Sequence, residues 1–396
     1  MPGLSLLIKP ASGACNMRCA YCFYADVAAN RHVGDYGMMR RDTAETIIRR
    51  GLSEAGHVTF SFQGGEPTLW GLDNFRFFVE TAGRLRADLT QANAEGPPGK
   101  GKTREAQTSV NYALQTNGIL LDEAWAAFFA EHGFLIGLSL DGYKDLHDAN
   151  RLDAGGRGTY GRALKAAALL RKAGAQFNIL SVVTAGSAVR GEKLYRFYQN
   201  QNLGYLQFIP CIDDFGSEGR LLDAAGYGRH LKTMFDMWYR DVVAGRGISI
   251  RYFDNLLSMY MGYPPELCSM DGACHIQFVV EADGGVYPCD FYVLDQWRLG
   301  NVHEDSFGAM LASRTAGRFI AESARHPACG RCRWFALCRG GCKRDREPLV
   351  EGVPSANRFC EAYKDFFAYS HERFGRLAHM INRDLRGPAV AGKGAE

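Results

Sequence analysis

The sequence has no apolar run long enough to cross a membrane and no large excess of charge of one sign. No stretch of about 18 consecutive apolar residues occurs, and the run "LSLLI" near the N-terminus is interrupted by Lys9 and Pro10. The 46 basic residues nearly balance the 43 acidic ones, giving a formal charge of +3. No dominant field therefore favours nucleic acid or an anionic membrane as a partner. We expect a cytoplasmic protein that binds neither.

Metal-binding histidine patterns are also missing, whereas cysteine is abundant. The ten histidines are scattered, with no His-x3-His spacing on which a metal site could be built. Twelve cysteines without a secretion signal are difficult to explain as disulfides, because the cytosol keeps thiols reduced. Cys211 stands alone, and the others form three groups: Cys15, Cys19 and Cys22; Cys268, Cys274 and Cys289; and Cys329, Cys332, Cys338, Cys342 and Cys360. Metal or cluster ligation is the better interpretation.

The first half of the chain alternates between strand and helix patterns. Nearly continuous apolar and β-branched runs predict six strands, each buried on both faces, over residues 4–9, 57–62, 109–116, 134–140, 177–184 and 205–210. Amphipathic segments lie between them, with Asp42 and Asp122 as candidate helix caps. Six right-handed βα units with a parallel sheet curl into an open barrel, whose active site should lie at the carboxyl ends of the strands.

Unusual residues do follow those strands. "CNMRCAYC" comes after the first strand, and "QGGEP", "QTNG" and "SLDG" come at or after the next three. The stretch 91–108 is rich in Gly, Lys and Pro and predicts a disordered surface insertion. Helix is expected over about 223–245, and from residue 248 onward the pattern indicates short strands, turns and cysteines. The tail 387–396 is expected to be disordered.

Three thiols within "CNMRCAYC" suit a site for chemistry. Cys15, Cys19 and Cys22 can hold three corners of a cubane iron–sulfur cluster and leave the fourth iron open, as three protein ligands leave a catalytic zinc one open position. Four cysteines would instead build an electron carrier. From spacing alone, two alternatives stay open: a structural zinc site completed by His32, and chance clustering.

These residues resemble the signature of radical S-adenosylmethionine (SAM) enzymes. The Cys-x3-Cys-x2-Cys spacing, with Tyr21 before its last cysteine, is similar to the family's cluster motif, and "GGEP" is similar to its contact with the cofactor's amino group. The resemblance implies that the open iron binds the amino and carboxylate groups of S-adenosylmethionine. It also implies an α/β fold with a partial (β/α)6 radical SAM barrel, in agreement with the strand pattern.

The C-terminal cysteines resemble the SPASM extension of that superfamily, an iron–sulfur domain. The resemblance implies two auxiliary clusters, hence three [4Fe–4S] clusters in all. The implied ligands are Cys268, Cys274, Cys289 and Cys342 for the first auxiliary cluster, and Cys329, Cys332, Cys338 and Cys360 for the second. A zinc-ribbon-like domain is the alternative. Radical initiation needs a low reduction potential, however, and electron-carrying clusters serve that need whereas redox-inert zinc does not. The expected division is a barrel domain at 1–245, a SPASM domain at 246–386 and the tail at 387–396.

Within the superfamily, the chain resembles the anaerobic sulfatase-maturating enzymes nearly end to end. The similar segments include "FQGGEPTL", "GLSLDG", "SIRYFD" and "RCRWFALCRGGC". These enzymes convert a cysteine, or in some members a serine, of a nascent sulfatase into Cα-formylglycine. The resemblance implies a 5′-deoxyadenosyl radical that takes a hydrogen from the substrate's Cβ. It also implies a sulfatase polypeptide as substrate and a reducing electron donor such as flavodoxin or ferredoxin. The departures are the insertion at 91–108 and the extended tail.

The resemblance also implies which residues contact the cofactor. These are Tyr21, Gly65, Ser139, Arg151 and Ile212, the last standing where the family usually has leucine. Without the family, Ser139 is an ordinary strand-end hydroxyl and Arg151 a solvated charge.

Asp290 is the candidate catalytic base. It directly follows the implied cluster ligand Cys289, it matches the family's proposed base, and a carboxylate held in a partly dry pocket can take the substrate's proton. The alternative is that Asp290 caps a turn or pairs with an arginine. Gln63 and Tyr24 are placed where they could touch substrate or lie in an exposed loop, and Cys211 reads as a small buried hydrophobe.

Two other functions compete with this one. Another SPASM enzyme that crosslinks or oxidises a ribosomal peptide would share every cluster ligand. A non-enzymatic electron carrier or iron–sulfur scaffold is a different class, but a pure carrier has no use for an open iron.

Overall fold

A computed structural model describes residues 1–95, 108–215, 217, 221–350 and 352–386. Contacts within the chain divide it into two compact units. The first comprises Met1–Ser181, Ile212–Glu218 and His275–Ser323, and the second comprises Val182–Cys211, Gly219–Cys274 and Ala324–Glu396. The domain boundary between residues 245 and 246 stays a prediction. The tail predicted at 387–396 lies outside the described residues.

The six strands predicted from apolar runs over the first 210 residues are present, and two short strands were not predicted. The six predicted runs correspond to β1, β3, β4, β5, β7 and β8, within two residues at each end. In chain order, the strands of the described residues are β1 Leu4–Ile8, β2 Met17–Cys19, β3 His57–Phe62, β4 Ser109–Thr116, β5 Leu135–Ser139, β6 Arg151–Asp153, β7 Gln176–Val183, β8 Tyr205–Pro210, β9 Ser249–Ile250, β10 Val279–Val280, β11 Gly285–Tyr287, β12 Gly300–Asn301, β13 Leu349–Val350 and β14 Val353–Pro354.

Helices separate the main strands, as the alternation predicted. In chain order they are α1 Phe23–Ala29, α2 Arg41–Glu54, α3 Leu72–Glu95, α4 Glu123–Glu131, α5 Lys144–Asn150, α6 Tyr160–Ala173, α7 Ala185–Ala188, α8 Gly191–Asn200, α9 Ala224–Val243, α10 Arg251–Tyr260, α11 Phe307–Leu311, α12 Arg314–Ala321, α13 Phe335–Cys338 and α14 Cys360–Arg386. No helix among the described residues is both long enough and apolar enough to span a membrane.

The first unit is built on a parallel sheet. Strands β1, β3, β4, β5 and β7 pair in this order, all parallel, with β7 belonging to this unit as far as Ser181. Because neighbouring parallel strands are joined through helices, their carboxyl ends share one edge of the sheet. On the other side of β1, the sheet continues through β10, which is parallel to β1, and then through the antiparallel β11 and β12.

One face of these strands is less buried than the sequence predicted. In β3, the side chains of Val58, Phe60 and Phe62 are fully buried, whereas those of Thr59 and Ser61 are half-buried. Burial on both faces was therefore the wrong expectation for this strand. The letters "HVTFSF" alternate between polar and apolar residues, which is typical of a strand with only one face packed on the core.

Three details of the helices also differ from the sequence predictions. Asp122 caps α4 by accepting a hydrogen bond from the Trp125 N–H, as predicted, but Asp42 lies inside the first turn of α2 and pairs with Arg40. Residues 91–95, predicted as part of a disordered insertion, are the end of α3, and residues 96–107 lie outside the described residues. The region after residue 248, predicted as short strands and turns, also contains the helices α10 to α14, of which α10 and α14 are the longest.

The second unit packs helices α9, α10 and α14 around aromatic side chains. Phe235 of α9 has ring centroids 5.6 Å from Phe253 of α10 and 4.7 Å from Phe374 of α14. Trp238 adds a contact to Phe253 at 5.4 Å. Aromatic pairs of this kind bury a large apolar area and fix the relative placement of the helices that carry them.

A buried group of three charged side chains joins β1 to the β10–β11 turn in the first unit. Glu281 Oε1 lies 2.5 Å from Lys9 Nζ and 2.6 Å from Arg31 Nη1, and the three side chains are 0–3% exposed. Burial raises the pKa of Glu281, but the two cations oppose it and hold that pKa below its usual value. Glu281 thus offsets one of the two positive charges, which have almost no access to water.

We expect Glu281→Gln to destabilise the protein by about 3–5 kcal/mol, since it leaves two buried cations without their carboxylate. Chemical denaturation under anaerobic conditions measures this. The matched control is Glu45→Gln, which breaks an exposed pair with Arg49 and should cost under about 1 kcal/mol. Equal effects of the two substitutions would show that the buried group contributes no special stability.

Candidate functional site

The three-cysteine loop follows β1 and is fixed by short backbone pairings. Its middle part forms β2, which pairs antiparallel with β6 so that Cys19 lies opposite Arg151. The Ala20 N–H donates to the Asn150 carbonyl at 2.9 Å, and Cys22 occupies the N-cap position of α1. The loop is therefore held at the carboxyl end of β1, where the sequence predicted the active site.

The three thiols of this loop lie close enough to influence one another. Burial raises the pKa of Cys15 to about 11, and nearby Glu66, Cys19 and Cys22 raise it further. Burial also raises the pKa of Cys19, while the positive charge of Arg151 lowers it. Iron offers such thiols the compensating positive charge that they need to ionise.

This donor set fits a cluster better than a single metal ion. Among the described residues, no three Cys, His, Asp or Glu side chains converge on a point where one ion could sit. In a cubane each thiolate binds a different iron, so its ligands lie farther apart than those of one ion. His32, the residue suggested as a fourth zinc ligand, has a 91% exposed side chain beside Asp295.

The "GGEP" loop packs directly on the cysteine loop. Gly65 N–H donates to the Ser12 carbonyl at 3.1 Å, and Glu66 N–H donates to the Ala14 carbonyl at 2.8 Å. A Cβ added at Gly65 would lie 1.9 Å from the Ala14 carbonyl oxygen. Only glycine permits this approach of the two backbones.

We expect Gly65→Ala to displace the cysteine loop by about 1 Å and to lower the rate of S-adenosylmethionine cleavage by ~10²-fold, as misplacement by that distance does in other active sites. Gly83→Ala in α3 is the matched control, because its added Cβ would meet no atom of the described residues within 4 Å apart from its own stretch of helix backbone. Anaerobic assay of 5′-deoxyadenosine formation measures both. Normal cleavage by Gly65→Ala would mean that the close approach of the two loops is dispensable.

Glu66 is a site residue that the sequence reasoning missed. It is 1% exposed, and its carboxylate accepts hydrogen bonds from the Thr68 hydroxyl at 2.6 Å, the Thr116 hydroxyl at 2.7 Å and the Asn117 N–H at 2.8 Å. Asn117 in turn donates to Asn16 Oδ1 at 2.7 Å. Glu66 therefore joins the "GGEP" and "QTNG" segments, and its position inside the quoted motif was the available signal.

Tyr21, Asp141 and Arg151 form a buried cluster beside Cys19. The Tyr21 hydroxyl donates to Asp141 Oδ2 and accepts from Arg151 Nη1 at 3.1 Å. Burial lowers the pKa of Arg151, but Tyr21, Cys19 and Asp141 outweigh it and raise that pKa. Arg151 is 7% exposed, so the alternative of a solvated charge is wrong. Asp141 was missed, although "SLDG" contains it.

The structure places the remaining cofactor-contact residues implied by the sequence resemblance as follows. Arg151 Nε is buried and has no hydrogen-bond partner among the described residues, which suits a ligand carboxylate. Ser139 ends β5 and is 8% exposed. Ile212 is half-buried in a loop whose Phe215 N–H donates to Asp26 of α1 at 3.0 Å.

Asp290 lies in a small hydrogen-bonded group with Tyr24 and Gln63. The Tyr24 hydroxyl donates to Asp290 Oδ2 at 2.6 Å and lies 3.2 Å from Gln63 Oε1. The other oxygen, Asp290 Oδ1, is buried and has no hydrogen-bond partner in the described part of the chain. Within the described ranges, Asp290 neither caps the short turn that it opens nor forms an ion pair with an arginine.

The environment of Asp290 favours its protonated form more than water does. Burial raises its pKa to about 6, with a smaller raising effect from Glu281, while Lys9 and the Tyr24 hydroxyl lower it. A carboxylate with a pKa near neutrality, one partnered oxygen and one free oxygen can accept a proton from a bound ligand.

In the second unit, the thiols fall into the two groups that the sequence resemblance implied. Burial raises the pKa of Cys342, and among the charges that add to it are those of Cys268 and Cys274. Burial raises the pKa of Cys338 to about 11, with added effects from Cys360, Cys329 and Cys332. Cys211 is 1% exposed, as expected for a small buried hydrophobe. Cys289 belongs to the first unit, and its role as a ligand stays a prediction.

Comparison with known proteins agrees with both parts of this description. Residues 10–190 match the family model of the Radical SAM superfamily, and residues 272–333 match that of the SPASM iron-sulfur cluster-binding domain. The chain is 42% identical over 387 residues to the cysteine-type anaerobic sulfatase-maturating enzyme of Clostridium perfringens, covering 96% of this chain and 100% of that protein. The chain belongs to the anaerobic sulfatase-maturating enzymes.

A solved structure and a serine-type relative are also similar to this chain. The structure of native anSMEcpe with bound AdoMet and Cp18Cys peptide has a TM-score of 0.86 at 41% identity, covering 96% of this chain and 100% of that one. The serine-type anaerobic sulfatase-maturating enzyme of Bacteroides thetaiotaomicron is 27% identical over 389 residues, covering 92% of this chain and 89% of that protein. The chain is thus a radical SAM enzyme that uses S-adenosylmethionine and a [4Fe–4S] cluster, and its SPASM domain binds additional clusters.

Proposed function

We propose that this enzyme oxidises a cysteine of a sulfatase polypeptide to Cα-formylglycine. The observation that carries the proposal is the likeness to the cysteine-type enzyme over the whole chain, at 42% identity against 27% for the serine-type relative. The buried, unpartnered oxygen of Asp290 supplies the acceptor that the reaction needs for a substrate proton.

Each cofactor is assigned to residues of this chain. Cys15, Cys19 and Cys22 hold the cluster that leaves one iron open, and the contacts to S-adenosylmethionine come from Tyr21, Gly65, Ser139, Arg151 and Ile212. Cys268, Cys274 and Cys342, with Cys289 as the fourth ligand, hold the first auxiliary [4Fe–4S] cluster; Cys329, Cys332, Cys338 and Cys360 hold the second. A sulfatase polypeptide is the substrate, and a low-potential protein such as flavodoxin or ferredoxin is the electron donor.

The chain's own residues handle the substrate proton. When bound, S-adenosylmethionine and its cluster supply a 5′-deoxyadenosyl radical that takes one hydrogen from Cβ, and the additional clusters supply an electron acceptor. Asp290 Oδ1 takes the thiol proton as the Cβ radical loses one electron, which leaves a thioaldehyde. The Tyr24 hydroxyl, bound to Oδ2, keeps the carboxylate oriented. Water then replaces sulfur and releases hydrogen sulfide.

Anaerobic incubation with a cysteine-containing sulfatase-motif peptide, followed by mass spectrometry, tests the proposal. We expect a decrease of about 18 mass units, because two hydrogens are lost and sulfur is exchanged for oxygen. A serine peptide should lose about 2 mass units through the same Cβ abstraction and the same base. An enzyme that cleaves S-adenosylmethionine but yields a crosslinked peptide retaining sulfur would contradict the proposal.

A further inference from the structure

A cavity of about 390 Å³ in the second unit is lined by charged groups that already pair with one another, whereas a smaller cavity in the first unit has polar groups without partners. The smaller one, here called the amide cavity, has a volume of about 120 Å³ and is lined by side chains from β3, β4, β5 and β7 and by Gln63. Its polar lining includes Gln63, Gln115 and Asn178, and its apolar lining includes Leu135 and Leu180. None of its lining residues carries a charge.

The amides of Gln115 and Asn178 lie at the same level of the sheet. Gln115 is in register with Gly137 on the next strand, and Gly137 is in register with Asn178 on the strand after that. A Cβ added at Gly137 would lie 2.6 Å from Leu180 Cδ1 and 3.7 Å from Asn178 Oδ1. Because Gly137 has no side chain, the Leu180 methyl group fits over its backbone, between the strands that carry the two amides.

Neither amide forms a hydrogen bond within the part of the chain that the structure describes. Both side chains are half-buried, and the described residues offer no hydrogen-bond partner to the amide of Gln115 or of Asn178. Both amides therefore keep their donors and acceptors available to a ligand or to water in this cavity. A carboxamide provides both a donor and an acceptor, which matches a peptide main chain.

Gln63 connects the amide cavity to the proposed base. It lines the cavity, and its Oε1 lies 3.2 Å from the Tyr24 hydroxyl, which donates to Asp290. An occupant of the amide cavity is therefore separated from Asp290 by two side chains. The volume, about four waters at roughly 30 Å³ each, accommodates one small residue of an extended peptide.

We propose that the amide cavity is a subsite for the main chain of the substrate peptide, with Gln115 and Asn178 hydrogen-bonded to the peptide groups of a residue adjoining the target cysteine. This inference rests on the proposed function. Recognition of the main chain by uncharged amides fixes the position of the peptide while tolerating different side chains, as in other extended-peptide sites. A charged substrate side chain does not suit the cavity, because no opposite charge would meet it there.

The test measures binding of a fluorescent cysteine-motif peptide to the cluster-loaded enzyme with S-adenosylmethionine present. We expect Gln115→Leu and Asn178→Leu each to raise the Kd about tenfold, since each leaves a peptide group unpaired. Gln115→Glu and Asn178→Asp, which keep the side-chain shape, should also weaken binding. Asn111→Leu is the matched control, because Asn111 is an exposed amide on the same face of β4 and does not line the cavity. It should bind as tightly as the wild-type enzyme.

N-methylation of single peptide groups distinguishes main-chain contacts from water alone. One N-methylated peptide should bind the wild-type enzyme about tenfold more weakly, yet lose little further affinity for the matching variant, because the two changes remove the same hydrogen bond. Unchanged Kd values in all four variants, or N-methyl effects that add to theirs at every position, would overturn the subsite and leave water as the occupant. The wild-type enzyme's conversion of the peptide tests the function separately. Conversion with normal binding by the variants refutes only the subsite, and coupled binding without conversion refutes only the function.

Discussion

Replacing Cys15, Cys19 and Cys22 together by alanine is expected to abolish the formation of 5′-deoxyadenosine. The three thiols lie in one loop at the carboxyl end of β1, close enough that Cys19 and Cys22 raise the pKa of Cys15. They are also the only ligands assigned to the cluster with an open iron. The reconstituted wild-type protein should hold about twelve irons in three four-iron clusters, and the triple variant about eight. Iron analysis and an anaerobic cleavage assay measure the two results.

The control for this prediction is Cys211→Ala. Cys211 is 1% exposed and is not assigned to any cluster, so its replacement should leave both the iron content and the cleavage rate unchanged. If the triple variant still cleaved S-adenosylmethionine, the radical site would lie elsewhere. If the wild-type protein instead held zinc together with a single iron cluster, the assignment of the C-terminal cysteines would be wrong.

Asp290→Asn is expected to separate cofactor cleavage from product formation. Asparagine preserves the shape of the side chain and can still bind Tyr24, but it cannot accept a proton at neutral pH. Formylglycine formation should fall by ~10²- to 10⁴-fold if the carboxylate is the general base, while 5′-deoxyadenosine continues to form.

The matched control is Asp295→Asn. Asp295 lies five residues further along the same segment, its side chain is 38% exposed beside His32, and no role in the reaction is assigned to it. Iron analysis of both variants excludes loss of the adjacent Cys289 ligand as the cause. A normal rate of formylglycine formation by Asp290→Asn, with its iron intact, would assign Asp290 a structural role.

The barrel strands could be predicted from the sequence because their apolar runs are local. Each run, such as 57–62 or 109–116, is a continuous segment rich in β-branched and aromatic residues, and the structure places β3 and β4 over those residues. Which face of the sheet is left unpacked depends on how several strands align. The amides of Gln115 and Asn178 come into register across β5 only when β4, β5 and β7 have paired. They therefore cannot be predicted from any single segment of the sequence.

The cysteine groups could likewise be predicted, whereas their surroundings could not. Spacing and family resemblance identify the thiols, but Asp141 approaches Tyr21 from a position 120 residues away in the sequence. Glu66 similarly binds Thr116 across 50 residues. Buried polar partners of this kind depend on tertiary packing, which a single sequence does not reveal. The helices α10 and α14 were missed because the cysteines and turns around them dominated the pattern.

The most direct test of the account is the fate of deuterium placed on the Cβ of the target cysteine in a sulfatase-motif peptide. The wild-type enzyme, reduced under anaerobic conditions, should transfer one deuterium atom from Cβ to 5′-deoxyadenosine while the peptide becomes formylglycine, because the base and its Tyr24 partner are arranged to complete the oxidation at that carbon. Mass spectrometry of the nucleoside and the peptide reads both products. Label that reached 5′-deoxyadenosine only from deuterium on Cα, or a crosslinked product that retained sulfur, would contradict the account.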